Sequence, residues 1–210
     1  NLVARVDGLG RTTIAVHDAM NRLASRTLPG GATTAYAYAP DGRRSTVTDA
    51  RGVTTFDYDA AGRLSAVTHP TGEVVGYAYD AAGRLVALAA PASTTSYEHD
   101  ALDRLTRVGG PEGTFDFAWD LVGNRVRQSA PNGVVATTLF DARDRPTSIV
   151  QRNAGGVLAS WTTAYSPSGR RLSITQLDSS VETYGYDALG RLVTETRTGT
   201  GPRTAAHAYD

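Results

Sequence analysis

The segment Tyr58-Asp59-Ala60-Ala61-Gly62-Arg63-Leu64 is the strongest indication of the fold, because the chain contains it or close copies of it many times. The same seven letters return at 79–85, and close copies read HDALDRL at 99–105 and YDALGRL at 186–192. Weaker copies read HDAMNRL at 17–23, YAPDGRR at 38–44, WDLVGNR at 119–125, FDARDRP at 140–146 and YSPSGRR at 165–171, and a tenth begins at Tyr209-Asp210. The copies follow one another at about 20–21 residues, with longer steps late in the chain. A fixed period of this length indicates a repeat array.

A second, softer turn signal lies about halfway between successive copies. Examples are Asp49-Ala50-Arg51-Gly52, Pro70-Thr71-Gly72, Pro111-Glu112-Gly113 and Pro131-Asn132-Gly133. Glycine supplies a positive φ without a Cβ clash, and Pro or Asp favours the preceding turn positions. Two turns of three to four residues leave two segments of about six or seven residues in each unit.

The segments between the turns alternate with a period of two. In Thr54–Tyr58 the aromatic rings stand at i and i+2, and Val75–Tyr79 repeats that spacing. This pattern places the rings on one face of a strand, and Val, Thr, Tyr and Phe are typical strand residues. No segment shows a sustained helical period. The sequence therefore predicts an all-β fold of consecutive antiparallel β-hairpins, about twenty short strands, which sheet twist coils into a curved or spiral strip.

Each position of the repeated phrase has a structural explanation. The first position carries a ring in all ten copies, namely His17, Tyr38, Tyr58, Tyr79, His99, Trp119, Phe140, Tyr165, Tyr186 and Tyr209. Hairpins stacked side by side place such rings in ladders across the strands. The Asp begins a turn and accepts hydrogen bonds from backbone N–H groups, and the Gly takes the left-handed backbone position. The Arg pairs with that Asp or with the Asp of a neighbouring copy, and it can stack on rings. The Leu starts the return strand. The residues predicted to carry these roles are Tyr58, Asp59, Gly62, Arg63, Leu64, Tyr79, Asp80, Gly83, Arg84, Leu85, Tyr186, Asp187, Gly190, Arg191 and Leu192.

Composition excludes several classes of protein. The chain has 21 basic residues, all of them Arg, against 21 acidic residues. This balance argues against a nucleic-acid partner. The absence of cysteine excludes disulfides, thiolate metal ligands and cysteine nucleophiles. No apolar run approaches the length of a membrane span. The chain does not begin with Met, and we expect it to be excised from a longer one.

The histidines do not form a predicted catalytic or metal site. His17, His99 and His207 fall on ring positions of the repeat, and His69 precedes Pro70 in the second turn without a second histidine at ligand spacing. We therefore expect no catalytic residue, no metal and no cofactor.

Two further patterns do not indicate a catalytic or phosphate-binding site. The carboxylates of Asp57 and Asp59, or of Asp116 and Asp120, could be paired acids; however, Asp59 and Asp120 belong to the repeat and the other two face away from the rings. The Gly8-Leu9-Gly10 and Gly199-Thr200-Gly201 stretches lack the helix that a phosphate loop needs.

The phrase Y-D-x-x-G-R-L at this spacing resembles the YD repeat of the RHS (rearrangement hotspot) family, which insecticidal toxin complexes and teneurins share. The resemblance covers essentially the whole chain. Departures are Ala39 and Ser166 in place of Asp, and Asn21, Asp103 and Asp144 in place of the turn Gly. Asn and Asp tolerate the left-handed region best among residues with a Cβ, so the last three support the turn interpretation.

The resemblance implies that residues 1–210 are one RHS/YD-repeat array of about ten units. In this family the repeats wind a β-strip into a hollow shell, which in bacterial members encloses a C-terminal toxin. The implied function is a wall segment of a polymorphic or contact-dependent toxin. Its partners would be flanking repeats and an enclosed toxin of the same parent chain, and its location secreted or cell-surface.

The sequence is also compatible with two alternatives to the container. One is a surface-exposed module that binds carbohydrate or a receptor through its rings, and the solvent exposure of Tyr58, Tyr79 and Tyr186 separates it from the container. The other is a hydrolase hidden in the repeats, although every recurring polar residue has a turn or pairing role.

The segments Thr12–Val16 and Thr204–Tyr209 carry no charge and no Pro, and we expect them to be edge strands that fray or self-associate.

Overall fold

A computed structural model describes residues 3–209, all of whose regular elements are β-strands. No helix occurs in this range, which confirms the all-β fold class. The chain divides into two compact units, Asn1–Tyr97 and Glu98–Asp210. The aspartate of the truncated tenth copy, Asp210, lies outside the described residues.

Strands β1 to β9 belong to the first unit, and the boundary between the units falls within β10. Their bounds are β1 Ala4–Val6, β2 Thr12–His17, β3 Leu23–Thr27, β4 Thr33–Tyr38, β5 Arg44–Asp49, β6 Gly52–Tyr58, β7 Leu64–Thr68, β8 Val74–Tyr79, β9 Leu85–Ala90 and β10 Ser93–His99. From β1 to β10 each strand pairs antiparallel with the next along the chain. The first unit is therefore a run of hairpins without crossovers.

The second unit repeats this plan. Its bounds are β11 Leu105–Gly110, β12 Gly113–Trp119, β13 Arg125–Ser129, β14 Val135–Phe140, β15 Pro146–Asn153, β16 Gly156–Tyr165, β17 Arg171–Gln176, β18 Val181–Tyr186, β19 Leu192–Thr198 and β20 Arg203–Ala206. Each strand from β11 to β20 again pairs antiparallel with the next. The longest strands, β15 and β16, contain the insertion that lengthens the repeat between Asp141 and Ser166.

Two kinds of turn alternate along both units. The turns that contain the repeated phrase are called motif turns here, for example residues 59–63 between β6 and β7. The turns halfway between them, such as residues 69–73 between β7 and β8, are called opposite turns. In all the motif-turn hairpins whose pairing is described, the ladder shifts register beside the phrase's ring, as between Asp57 and Tyr58. Such a bulge strengthens local twist and re-aims the ring.

The strands form without a hydrophobic core. Exposed and half-buried side chains alternate along β2 and β10, as the period of two predicts. Among residues 3–209 no hydrophobic side chain is fully buried, and Ser180 alone has no exposed surface. Burial in this chain therefore comes from each hairpin covering its neighbours, as in other repeat proteins.

The predicted edges need correction. Thr12–Val16 is not an edge, because β1 pairs Ala4 with Ile14 and Val6 with Thr12. The missed signal was Asp7-Gly8-Leu9-Gly10-Arg11, a D-x-x-G-R turn without a ring before it. At the other end the last strand is Arg203–Ala206, which starts with a charged residue and pairs only with β19 among the described strands. The fraying of these ends stays a prediction.

Candidate functional site: the ladder of motif turns

The motif turn is built by its aspartate and glycine. In the turn at 59–63 the Gly62 N–H donates to the Asp59 carbonyl at 2.9 Å, and the Asp59 N–H donates to the Arg63 carbonyl at 2.9 Å. The Asp59 carboxylate Oδ1 accepts the N–H groups of Ala61 and Arg63 at 3.0 and 2.9 Å. The short acidic side chain thus satisfies two backbone N–H groups of the turn, which explains why the turn begins with Asp.

The fourth turn position requires left-handed backbone. Gly62, Gly83 and Gly190 have φ of 82°, 88° and 84°, as predicted. The residues that replace glycine in other copies also have positive φ, with values of 63° at Asn21, 62° at Asp103 and 58° at Asp144. The position therefore selects for Gly, Asn or Asp because other side chains are strained there.

The phrase's arginine pairs with its own aspartate. Arg63 Nε donates to Asp59 Oδ2 at 2.7 Å. The pairs that share this geometry, with N–O distances of 2.6 to 2.8 Å, are Asp18–Arg22, Asp59–Arg63, Asp80–Arg84, Asp100–Arg104, Asp141–Arg145 and Asp187–Arg191. The predicted pairing is confirmed, and even the opposite turn at Asp7–Arg11 adopts it.

These bonds hold the carboxylates in their charged form. The backbone N–H of Arg63 is the main cause that lowers the pKa of Asp59 below its ordinary value. The Arg145 side chain is the main cause at Asp141, whose pKa falls to about 2. The motif turns are therefore rows of ionised aspartates at neutral pH.

The same arginine reaches the next copy. The Arg63 guanidinium lies over the Tyr79 ring, 4.6 Å from its centroid, and Arg63 Nη1 donates to the Asp80 carbonyl at 3.1 Å. Stacked pairs of this kind, 4.3 to 5.9 Å apart, are Arg22–Tyr38, Arg43–Tyr58, Arg63–Tyr79, Arg104–Trp119, Arg145–Tyr165, Arg170–Tyr186 and Arg191–Tyr209. The sequence predicted that Arg can stack on rings, but it did not show that the partner ring belongs to the following copy.

The ring in turn bonds to the preceding copy. Tyr58 Oη donates to the Arg44 carbonyl at 2.9 Å, and Trp119 Nε1 donates to the Leu105 carbonyl at 2.8 Å. The other donors of this kind bond at 2.8 to 3.0 Å, in the pairs Tyr38–Leu23, Tyr165–Pro146, Tyr186–Arg171 and Tyr209–Leu192. We call this arrangement of Asp, Arg and following ring the turn ladder. It joins each copy to its neighbour by charge, stacking and hydrogen bonding at once.

Copies that depart from the phrase keep the ladder by other means. Where Ala39 replaces the aspartate, Asp41 pairs with Arg43 instead, with an Nη2–Oδ2 distance of 2.5 Å. Where Ser166 replaces it, the serine Oγ accepts the Arg170 N–H at 3.0 Å. The arginine over the next ring is retained in both copies.

The histidines hold structural positions in the repeat array. His17 and His99 occupy ring positions, and the Nδ1 atom of each is buried with no hydrogen-bond partner in the described part of the chain. His69 is exposed in an opposite turn, where its N–H donates to the Glu73 carbonyl at 2.8 Å. Residues 3–209 contain no cluster of three or more His, Cys, Asp or Glu that could hold a metal ion.

The carboxylates considered as paired acids have separate partners. Asp116 accepts a hydrogen bond from its cross-strand neighbour Arg107 at 2.7 Å, whereas Asp120 closes its own motif turn. Asp57 is exposed in β6, next to the half-buried ring of Tyr58. Within the described range, no helix is long and apolar enough to cross a membrane.

One polar cluster was missed by the sequence analysis. The Glu182 side chain is 14% exposed, accepts a hydrogen bond from Tyr184 Oη at 3.0 Å, and lies 3.8 Å from Nη1 of Arg197. Burial is the main cause that raises the pKa of Tyr184. Glu182 and Arg197 are register partners in β18 and β19, so hairpin pairing from the repeat period could have revealed the contact.

Comparisons with known proteins agree with this geometry. A family model described as RHS Repeat matches residues 17–55, 38–74, 58–95, 79–114 and 165–203. No curated protein matches the chain.

Solved structures share the fold. The crystal structure of TcdB2-TccC3-TEV superimposes with a TM-score of 0.60 at 15% identity, covering 88% of this chain and 13% of that one. The crystal structure of TcdB2-TccC3 without hypervariable C-terminal region gives 0.59 at 12% identity, covering 93% and 14%. The chain thus spans about one seventh of the length of each of these two structures.

Proposed function

The chain belongs to the RHS repeat family, and we propose that it is a wall segment of an RHS shell that encloses a C-terminal toxin. Residues 1–210 form one continuous array in this proposal. The shell belongs to an exported bacterial polymorphic toxin, in which flanking repeats and the enclosed toxin are parts of the same parent chain. The array itself has no catalytic role.

The turn ladder is the observation that carries this proposal. Its Asp, Arg and ring positions are the polar and aromatic residues that recur, and each bonds within its own turn or to an adjacent copy. Residues used in this way extend an array without forming a site on any one copy. The lack of a buried hydrophobic side chain among residues 3–209 suits a thin wall, which has two faces and no interior.

Ring burial favours the wall over carbohydrate binding. Tyr58, Tyr79 and Tyr186 are half-buried, and an arginine guanidinium covers one face of each ring. A sugar that stacked on such a ring would have to displace the arginine. The surface module therefore stays the second candidate, without a structural observation in its favour.

Protease protection in the full parent chain tests the container. We expect the segment that follows the repeats to resist digestion in the native protein and to be digested quickly when expressed alone. The variant Arg63→Ala with Arg145→Ala removes two contacts of the turn ladder and should open the wall to protease. The matched control is Arg51→Ala, because that side chain is 86% exposed and pairs only within its opposite turn.

Equal digestion rates for the native and the isolated segment would reject enclosure. Saturable binding of a glycan to the native array, lost on substitution of Tyr58, would instead support the surface module.

A further inference from the structure

The turn ladder lacks its arginine in one copy. In the sixth copy, residues 119–125, the arginine position holds Asn124. Asn124 Nδ2 donates to Asp120 Oδ2 at 3.0 Å and to Asp144 Oδ1 of the next copy at 2.9 Å. The amide bridges the two turns but brings no positive charge. The ring that follows, Phe140, has no hydroxyl that could bond to the preceding copy.

A cavity lies where the ladder is incomplete. Its volume is about 600 Å³, and its lining includes the side chains of Asp120, Val122, Asn124, Phe140 and Asp144. Val122 is 74% exposed and Leu139, also in the lining, is 63% exposed. The lining also contains the exposed Arg127 and Asp141, whose carboxylate pairs with Arg145. The cavity therefore combines an aromatic ring, apolar walls, three carboxylates, one arginine and access from solvent.

The two carboxylates carry uncompensated charge. Neither Asp120 nor Asp144 has an ion pair within 4.0 Å among the side chains of residues 3–209, in contrast to the paired aspartates of the complete copies. Burial opposes ionisation of Asp120, but hydrogen bonds from Asn124, Val122 and Gly123 outweigh it and lower its pKa. Carboxylates outnumber arginines in the lining, with Asp120, Asp141 and Asp144 against Arg127. A cation inside the cavity would therefore gain more than at an open surface.

Complete copies show which cation fits. In those copies the guanidinium donates to the phrase's Asp and stacks on the next ring. In three of them Nη1 also donates to the backbone carbonyl that opens the next turn, at Asp80, Asp120 or Ser166. The equivalent acceptor beside the cavity is the Asp141 carbonyl, which accepts the Asp144 N–H at 3.0 Å and keeps a second lone pair. Carboxylate, ring and carbonyl form a template that this chain fills elsewhere with its own arginines.

We propose that the cavity at Asn124 and Phe140 binds the guanidinium group of an arginine side chain supplied by the enclosed segment of the parent chain. The identity of the occupant rests on the proposed container function, whereas the guanidinium site itself does not. The bound group would donate to Asp120 and Asp144 and stack on Phe140, and it would complete the turn ladder in the sixth copy.

Saturation-transfer NMR with ethylguanidinium at millimolar concentration tests the site. We expect a saturable signal from the native chain, and a signal at least tenfold weaker from ethylammonium, which has the same charge without a planar fork. The variant Asn124→Arg should fill the cavity from within, abolish the signal and raise the melting temperature. Arg104→Ala should open a second cavity over Trp119 and increase the signal, whereas Arg51→Ala should leave it unchanged.

Two results would overturn the site. One is no saturable signal from a chain whose circular dichroism shows folded β-structure. The other is an undiminished signal from Asn124→Arg, since binding would then lie elsewhere on the surface.

The occupant is tested in the full parent chain. Ethylguanidinium should give no signal at this site while the enclosed segment is present, and the signal should appear when that segment is deleted. A signal in the intact parent would reject the proposal that an arginine of the enclosed segment occupies the site. A protease-sensitive segment in the native parent overturns the container function instead, so the two failures are distinguishable.

Discussion

At the scale of single residues, the aspartate of a motif turn acts first on its own backbone. Asp59 accepts two backbone N–H groups through one oxygen and leaves the other oxygen for Arg63. The turn and the ion pair therefore use different atoms of one side chain. This division explains how a copy such as the eighth keeps its turn with Ser166, which can accept N–H bonds but cannot pair with a cation.

The left-handed turn position gives the first prediction. Gly83→Ala should lower the free energy of unfolding by about 1–2 kcal/mol, the penalty of a Cβ at positive φ. The nearest atom to an added Cβ, Nη1 of Arg63 at 3.7 Å, adds no clash. Gly83→Asn should cost less, because Asn21 already adopts φ of 63° in the same position. Chemical denaturation measures both variants, and equal losses would show that backbone strain is not the cause.

Acid should weaken the array through the same aspartates. Their folded pKa values lie below the ordinary 3.8, and that of Asp141 is about 2. The unfolded chain therefore binds more protons in this range, so the stabilisation is complete above about pH 4 and is lost as pH falls toward 2. Melting temperatures measured from pH 7 to pH 2 should be flat at first and then drop. Asp141→Asn should flatten part of that drop, and a flat native profile down to pH 2 would contradict the prediction.

At the scale of the hairpin, ring hydroxyls join one copy to the next. Tyr38→Phe should lower the free energy of unfolding by about 0.5–1.5 kcal/mol, because the Leu23 carbonyl loses its donor at 2.9 Å. His69→Ala, in an exposed opposite turn, is the control and should leave stability unchanged. If Tyr38→Phe leaves the free energy of unfolding unchanged, the hydroxyl does not contribute to the stability of the turn ladder.

Opposite turns are coupled by contact between glycine and proline. A Cβ at Gly113 would lie 2.6 Å from Cβ of Pro131 in the next opposite turn, and Gly113 has φ of 107°. Gly133 has φ of 79° but no atom within 4 Å of an added Cβ. Gly113→Ala should therefore destabilise clearly more than Gly133→Ala, whose cost is the left-handed penalty of about 1–2 kcal/mol. Equal costs in chemical denaturation would show that the proline moves aside freely.

The sequence predicts the hairpin array from β2 onward because the repeat period supplies those turns. It predicts the positive φ at Asn21 and Asp144 because only a few residue types tolerate that backbone. It did not predict β1, since a turn without a preceding ring lay outside the phrase. Nor could it show which copy each arginine reaches, or that Asn124 leaves a cavity. Those depend on distances between copies, which spacing along the chain does not contain.

At the scale of the whole chain, stability should be a sum of contacts between adjacent copies. Gly113→Ala should therefore raise hydrogen exchange in β11 to β13 and leave β17 to β19 in the same unit close to native protection. Native-state hydrogen exchange read by mass spectrometry measures this. A uniform loss of protection from Glu98 to Tyr209 would show a single cooperative unit instead.

The arginine that contacts the following ring and the ring that bonds to the preceding copy give most junctions between copies the same chemistry, with the junction at Asn124 and Phe140 as an exception. Arg63 meets Tyr79 much as Arg145 meets Tyr165. A gene segment of one full period can thus be duplicated or removed between equivalent codons of two complete copies, and the new junction again places an arginine before a ring. The number of copies can then change during evolution by recombination. The length of the array changes with it, and no new interface has to evolve.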